Sequence, residues 1–136
     1  FSIKYGEDFE PEAEKKLCDL FPETVIFVHS WPTSLKPFYI WPLDSETCAG
    51  FDYIYGGMEL SSGGQRIHDP EILTKSIKSK GLDPINFKWY IDSFRFGAPQ
   101  HAGWSIGLER LTMIICELDN IKEATLFPRD RDRLTP

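Results

Sequence analysis

The chain has few cysteines, no long apolar run and no excess of positive charge, and each shortage excludes something. Cys18, Cys48 and Cys116 are odd in number and far apart. They make neither a metal-ligand spacing nor a disulfide framework, so a reducing cytoplasm is the expected setting. No apolar run approaches the roughly 20 residues that cross a bilayer. No signal peptide opens the chain either, so no membrane partner is expected. Phe1 is not an initiator Met, which leads us to expect an internal cut rather than a native start. Lysine and arginine total 15 against 21 aspartates and glutamates, a net charge of −6. That balance argues against a nonspecific basic nucleic-acid surface. Arg129, Arg131 and Arg133 cluster at the end, but the acids between them cancel most of their field.

What is present suits one domain. With 136 residues, 41% of them apolar, the chain is long enough to bury a core. Pro11 suits a first helical position, Ala13, Leu17, Leu20 and Phe21 form an apolar face, and Pro22 stops the helix. Thr24 to Val28 reads as a buried strand, His29 to Leu35 as a loop, Lys36 to Trp41 as a second strand, and Pro42 to Ala49 as a surface loop. Phe51 to Tyr55 and Met58 to Leu60 read as antiparallel strands, with bulges at the glycine pairs Gly56-Gly57 and Gly63-Gly64. Asp69-Pro70 opens a helix that ends at Gly81. Asp83-Pro84 opens another, with Phe87, Tyr90, Ile91 and Phe94 on one side and Gly97 to Pro99 closing it. A helix from Gly107 to about Leu118 carries Leu108, Leu111, Ile115 and Leu118 as a buried stripe, and Ile121 to Phe127 reads as a last strand. The aromatic runs read as core, and His68 as a structural histidine at a strand end.

Two constellations carry chemistry. In His101 to Arg110 the glycines sit where an extended segment becomes a helix, and free N–H groups there favour an anion. Arg110 adds a charged fork suited to phosphate oxygens. Close packing with a surface arginine is the plainer alternative. Glu59 and Ser62, three apart beside Gly63-Gly64, can converge at a bulge and offer oxygens to Mg²⁺, which takes few protein ligands. Arg66 lies an even number of residues from Ser62 and Gly64, hence on their face in a regular strand. A guanidinium there needs a carboxylate partner, either internal or a substrate's, gripped bidentately.

Phe51-Asp52, Gly57-Met-Glu59-Leu-Ser-Ser62-Gly-Gly-Gln-Arg66-Ile-His68, Phe96-Gly-Ala-Pro-Gln-His101-Ala-Gly103, Gly107-Leu-Glu109-Arg110 and Phe127-Pro-Arg-Asp130 follow one another in order along the chain. Together they resemble the aspartyl-tRNA synthetases of the archaeal and eukaryotic cytosolic type, and His101 to Arg110 looks like motif 3 of class II synthetases. The resemblance implies an α/β (α+β) fold, an antiparallel six- or seven-stranded catalytic sheet flanked by helices. Residues 1–136 would supply the C-terminal part of that domain, with motifs 1 and 2 and the anticodon-binding barrel absent.

The resemblance also implies roles. Arg110 would contact the γ-phosphate of ATP, and Gly107, Leu108 and Glu109 would wall the nucleotide pocket. Glu59 and Ser62 would bind Mg²⁺, Ser62 lying near the amino acid. Arg66 would hold the side-chain carboxylate of aspartate, and Gly103 would leave space beside it. His29 to Tyr39 looks like the loop that closes over aspartate. The chemistry is activation of aspartate with ATP to aspartyl-adenylate and transfer to tRNA, with no covalent nucleophile. Substrates are aspartate and ATP, tRNA binds through the full-length enzyme, and the family homodimer uses an interface motif missing here. Ala102 and Ser105 stand where glycine is usual, which predicts a tightened pocket. Pro-Gln100-His and His29-Ser-Trp31 depart from the usual pattern too. Two rival readings fit the same residues: a stand-alone truncated paralogue without catalysis, and a synthetase-derived enzyme that makes asparagine.

Overall fold

The structure, a computed structural model, describes residues 3–135. Its centre is a hairpin of β2, Thr47–Tyr55, and β3, Met58–Gln65. Gly56 and Gly57 form the turn, at φ of +62° and +82°. Both positions are left-handed, as a tight hairpin turn requires and as only glycine adopts without strain. This glycine pair is thus a turn between two strands rather than a bulge within one. β1, Ile26–Pro32, flanks β2, and β4, Ala102–Ile106, flanks β3. The sheet order is β1-β2-β3-β4, antiparallel throughout. Burial alternates strictly along β2, with Cys48, Gly50, Asp52 and Ile54 all turned inward.

Helices flank the sheet where the proline punctuation places them. α1, Pro11–Leu20, starts on its proline and buries Ala13, but Leu20 and Phe21 stay exposed. α2, Pro70–Ser79, is capped by Asp69, whose carboxylate accepts from the Glu71 and Ile72 amides. Asp83 caps a short 3-10 turn, Pro84–Phe87, which runs into α3, Lys88–Arg95. Leu73 and Ile77 of α2 pack with Ile91 and Ile67 into the main core, bordered by Phe38, Trp41, Phe87, Tyr90 and Phe94. Trp31, Ile40 and Cys48 form a second cluster beneath Leu35 and Tyr39. His68 stacks on Trp41 with ring centroids 4.7 Å apart, but its buried Nδ1 has no hydrogen-bond partner among the described residues. Packing therefore holds it, and it is not the satisfied structural histidine its place in the sequence suggests. Within the aromatic runs read as core, Phe38, Tyr39 and Trp41 and Phe87 to Phe96, Trp89 and Phe96 are exceptions, being exposed.

Four local readings are corrected. β1 is an edge strand, not a buried one. It extends through His29 to Pro32, and Phe27 is 58% exposed. Lys36 to Trp41 is a turn with one isolated bridge, Ile40 with Arg66, and main-chain bonds between Trp41 and both Gln65 and Ala49, but no continuous ladder. Pro37 has no N–H to give a ladder, which explains why an apolar run fails to become a strand. α4, Leu108–Ile115, buries no residue, and Leu108 and Ile115 are 69% and 71% exposed. The helix stops before Leu118 because Glu117 turns left-handed, at φ +52°. Ile121–Ala124 is a 3-10 turn rather than a strand, since the Asn120 side chain accepts from the Lys122 amide and caps it.

Candidate functional site

A bulge builds the site. Tyr53 pairs with Ser61 and Ile54 with Glu59, so Leu60 is the extra residue in β3. In unbroken alternation Glu59 and Ser62 would face opposite ways. With Leu60 inserted, Glu59 lies opposite Ile54 and Ser62 opposite Asp52, and both share the inward face of β2. The bulge sits at Leu60, not at Gly63-Gly64, which pair regularly with Phe51 and Gly50. Register is therefore kept downstream, and Ser62, Gly64 and Arg66 stay on that face. β4 adds Gly103 opposite Gly64 and Ser105 opposite Ser62.

Arg66 is positioned by three contacts. Its amide donates to the His101 carbonyl at 2.9 Å, and its Nη2 donates to the Gly103 carbonyl at 3.1 Å. Its guanidinium carbon lies 4.7 Å from the centre of the Tyr39 ring. Among the described residues it makes no ion pair. The internal carboxylate of the plainer reading is therefore not found among the described residues. A Cβ on Gly103 would come within 3.0 Å of Nη2 and 3.1 Å of Nε. The space at Gly103 thus belongs to the Arg66 guanidinium. We expect Gly103→Ala to displace that fork and raise the Michaelis constant for an acidic substrate about tenfold, with folding retained, measured by steady-state kinetics.

The same face carries an ion pair that the sequence reading missed. Lys36 Nζ donates to both oxygens of Asp52, at 2.8 and 2.6 Å, and lies 4.2 Å over the Trp31 ring. Both side chains are largely buried. The signal was available in β2: an aspartate on the inward face of an alternating strand requires a cation. Glu59 has no such partner among the described residues. Burial pushes its carboxyl pKa above the usual value, the charge of Asp52 adds to that, and Lys36 and Arg110 oppose it. A carboxylate so placed, with the Ser62 hydroxyl on the same face, fits a divalent cation that supplies the missing charge. No cluster of three or more His, Cys, Asp or Glu occurs among the described residues.

Arg110 reaches the site by another route. It sits in the first turn of α4 and its Nη1 donates to the main-chain carbonyl of Glu59. The Gly107 amide donates to the Leu60 carbonyl at 2.9 Å, tying the start of α4 to the bulge. Gly107 caps α4 without a side-chain bond, so the first amides of the helix keep their donors. Leu108 and Glu109 are exposed beside them. Glu59, Ser62, Arg66 and Gly103 thus share one face, with Arg110 at its rim. His101 is exposed, and its Nδ1 lies 2.9 Å from the Pro99 carbonyl.

A four-stranded antiparallel sheet flanked by helices, its charged face ending at a strand-to-helix glycine, has the fold of class II aminoacyl-tRNA synthetase domains. Solved structures share it. Aspartyl-tRNA synthetase from Entamoeba histolytica superimposes with a TM-score of 0.94 at 42% identity, over 100% of this chain and 29% of that one. Asparaginyl-tRNA synthetase from Pyrococcus horikoshii gives 0.93 at 33% identity, over 100% of this chain and 33% of that one. The chain belongs to the tRNA synthetases class II (D, K and N), a family matched over residues 4–131. Aspartate–tRNA(Asp) ligase of Picrophilus torridus is 48% identical over 136 residues, covering 100% of this chain and 32% of the ligase. Aspartate–tRNA(Asp/Asn) ligase of Methanocaldococcus jannaschii is 45% identical over 136 residues, covering 98% and 31%. The chain spans about a third of the length of the curated relatives it matches. No helix of the described residues is long and apolar enough to cross a membrane.

Proposed function

We propose that this chain is the C-terminal part of the catalytic domain of an aspartate–tRNA ligase, a cytoplasmic and homodimeric enzyme. The observation that carries the proposal is Arg66. Among the described residues it is a guanidinium without a carboxylate partner, on one face with Glu59, Ser62 and the Lys36–Asp52 pair. The Arg66 fork grips the side-chain carboxylate of aspartate, with Lys36, bonded to Asp52, on the same face. Both groups offer donors only, so a carboxamide would turn its NH₂ against them. That favours aspartate over asparagine, although the fold is shared with enzymes for both.

In the reaction an oxygen of the aspartate α-carboxylate bonds to the α-phosphorus of ATP while the bond to pyrophosphate breaks. A tRNA hydroxyl oxygen then bonds to the acyl carbon of aspartyl-adenylate as the acyl–phosphate bond breaks, releasing AMP and the hydroxyl proton. Glu59 and Ser62 would hold Mg²⁺, which would supply positive charge to neutralise the phosphates. Arg110 and the free amides of α4 take up charge on the triphosphate. These groups orient and neutralise, and no side chain serves as a nucleophile. Binding of adenine and of the α-carboxylate falls to motif 2, outside this chain.

Pyrophosphate exchange tests the proposal. The full-length protein is expected to exchange with aspartate at least about a hundredfold faster than with asparagine. The isolated 136 residues are expected not to turn over. Robust exchange by the isolated chain, or a preference for asparagine, would refute it.

A further inference from the structure

Residues 33–38 form the turn that carries Lys36, and no sheet ladder holds them. Leu35 and Phe38 pack into the two cores and the Thr33 amide bonds to the Glu46 carbonyl, and two side chains of the α2 region add polar holds on the main chain. Lys80, the residue after α2, donates its ammonium to the carbonyls of Thr33 at 2.6 Å and Ser34 at 2.8 Å. Ser76, one turn earlier, donates its hydroxyl to the Phe38 carbonyl at 2.6 Å. Lys36 lies between the two holds, its ammonium on Asp52. Lys80 makes no ion pair among the described residues, so its whole charge is directed at main-chain oxygens. Upstream, the chain enters this segment through Ser30, a non-glycine residue at φ +57° beside the β1 bulge. Such a residue stays left-handed only when its surroundings impose it.

We propose that Lys80 and Ser76 are positioning residues: a two-point clasp on residues 33–38 that sets Lys36 against Asp52 and so shapes the aspartate subsite. The inference rests on the functional reading above but adds residues that touch neither substrate. α2 is anchored independently, by the fully buried Leu73 and Ile77, so losing the clasp frees the turn without unfolding the helix. Charged hydrogen bonds of this kind are each strong enough to govern the conformation of an otherwise unladdered turn.

The test is Lys80→Met in the full-length protein, which keeps much of the apolar stem but not the ammonium. We expect the Michaelis constant for aspartate to rise about tenfold while that for ATP and the melting temperature hold, the loss of a charged hydrogen bond being of that size. Lys80→Arg should restore most of the affinity, because a guanidinium still offers donors to two carbonyls. An unchanged aspartate constant overturns the clasp, as does an equal rise for both substrates. Amide exchange supplies a second measurement independent of the reaction. The Thr33 and Leu35 amides, bonded to the Glu46 and Pro32 carbonyls, should exchange about tenfold faster in Lys80→Met, with Leu73 and Ile77 unchanged. If the unaltered protein shows no aspartate-dependent exchange of pyrophosphate, the functional reading fails. Amide exchange then decides the clasp by itself, and unaltered rates at Thr33 and Leu35 would refute it.

Discussion

Arg66→Leu is expected to reduce aspartate-dependent pyrophosphate exchange about a thousandfold, almost all of it through weaker aspartate binding. A buried carboxylate left without its cation costs roughly 2–5 kcal/mol, and each 1.4 kcal/mol is tenfold. The upper part of that range applies because Arg66 contributes a planar fork set by the Tyr39 ring and the Gly103 carbonyl. Arg66→Lys should recover only part of the loss: the charge returns, but the bidentate geometry and the stacking do not. Folding should survive in both variants, since Arg66 has no ion-pair partner among the described residues to be stranded by its removal. Steady-state constants for aspartate and ATP, with circular dichroism as the fold control, separate the possibilities. An Arg66→Leu protein with normal aspartate affinity would remove the central support from the assignment.

The parts of this molecule that could be read in advance are those written by local chemistry. Asp69-Pro70 and Asp83-Pro84 specify helix starts through their own side chains, and each aspartate accepts the expected amide bonds. The hairpin was legible in the alternation of β2 and the paired glycines. The chance that Glu59 and Ser62 share a face was legible only as a condition, a bulge, and the bulge lies at Leu60 where no glycine marks it. The Lys36–Asp52 pair joins residues sixteen apart through a turn, and no periodicity links them. Exposure failed for a different reason. Leu108 and Ile115 of α4 and Phe27 of β1 are apolar in pattern, yet the described residues leave more than half of each exposed. A hydrophobic stripe states that a face is suited to burial, not that its cover lies within the same 136 residues.

Glu59→Gln should separate activity from stability. The Glu59 carboxyl is pushed above its usual pKa, chiefly by burial and then by Asp52. The native state therefore binds that proton more tightly than the unfolded chain does. Stability falls as pH rises from the ordinary glutamate value through the raised one, and the cost of the ionised group is complete above it. Glutamine removes the charge, so at pH 7 the variant should melt slightly higher than the unaltered protein, and the difference should vanish under acid conditions where Glu59 is protonated. Mg²⁺ should act in the opposite sense. Bound to the native carboxylate, it should raise the melting temperature of the unaltered protein with concentration and leave Glu59→Gln nearly unmoved. Exchange activity of the variant should drop by about a hundredfold or more, the several kcal/mol that metal charge contributes at a phosphoryl centre. Differential scanning calorimetry across pH and Mg²⁺, beside exchange kinetics, measures all three effects. A variant that is less stable at pH 7, or one that Mg²⁺ stabilises as strongly as the unaltered protein, would show that Glu59 is held by internal contacts and that the cation binds elsewhere.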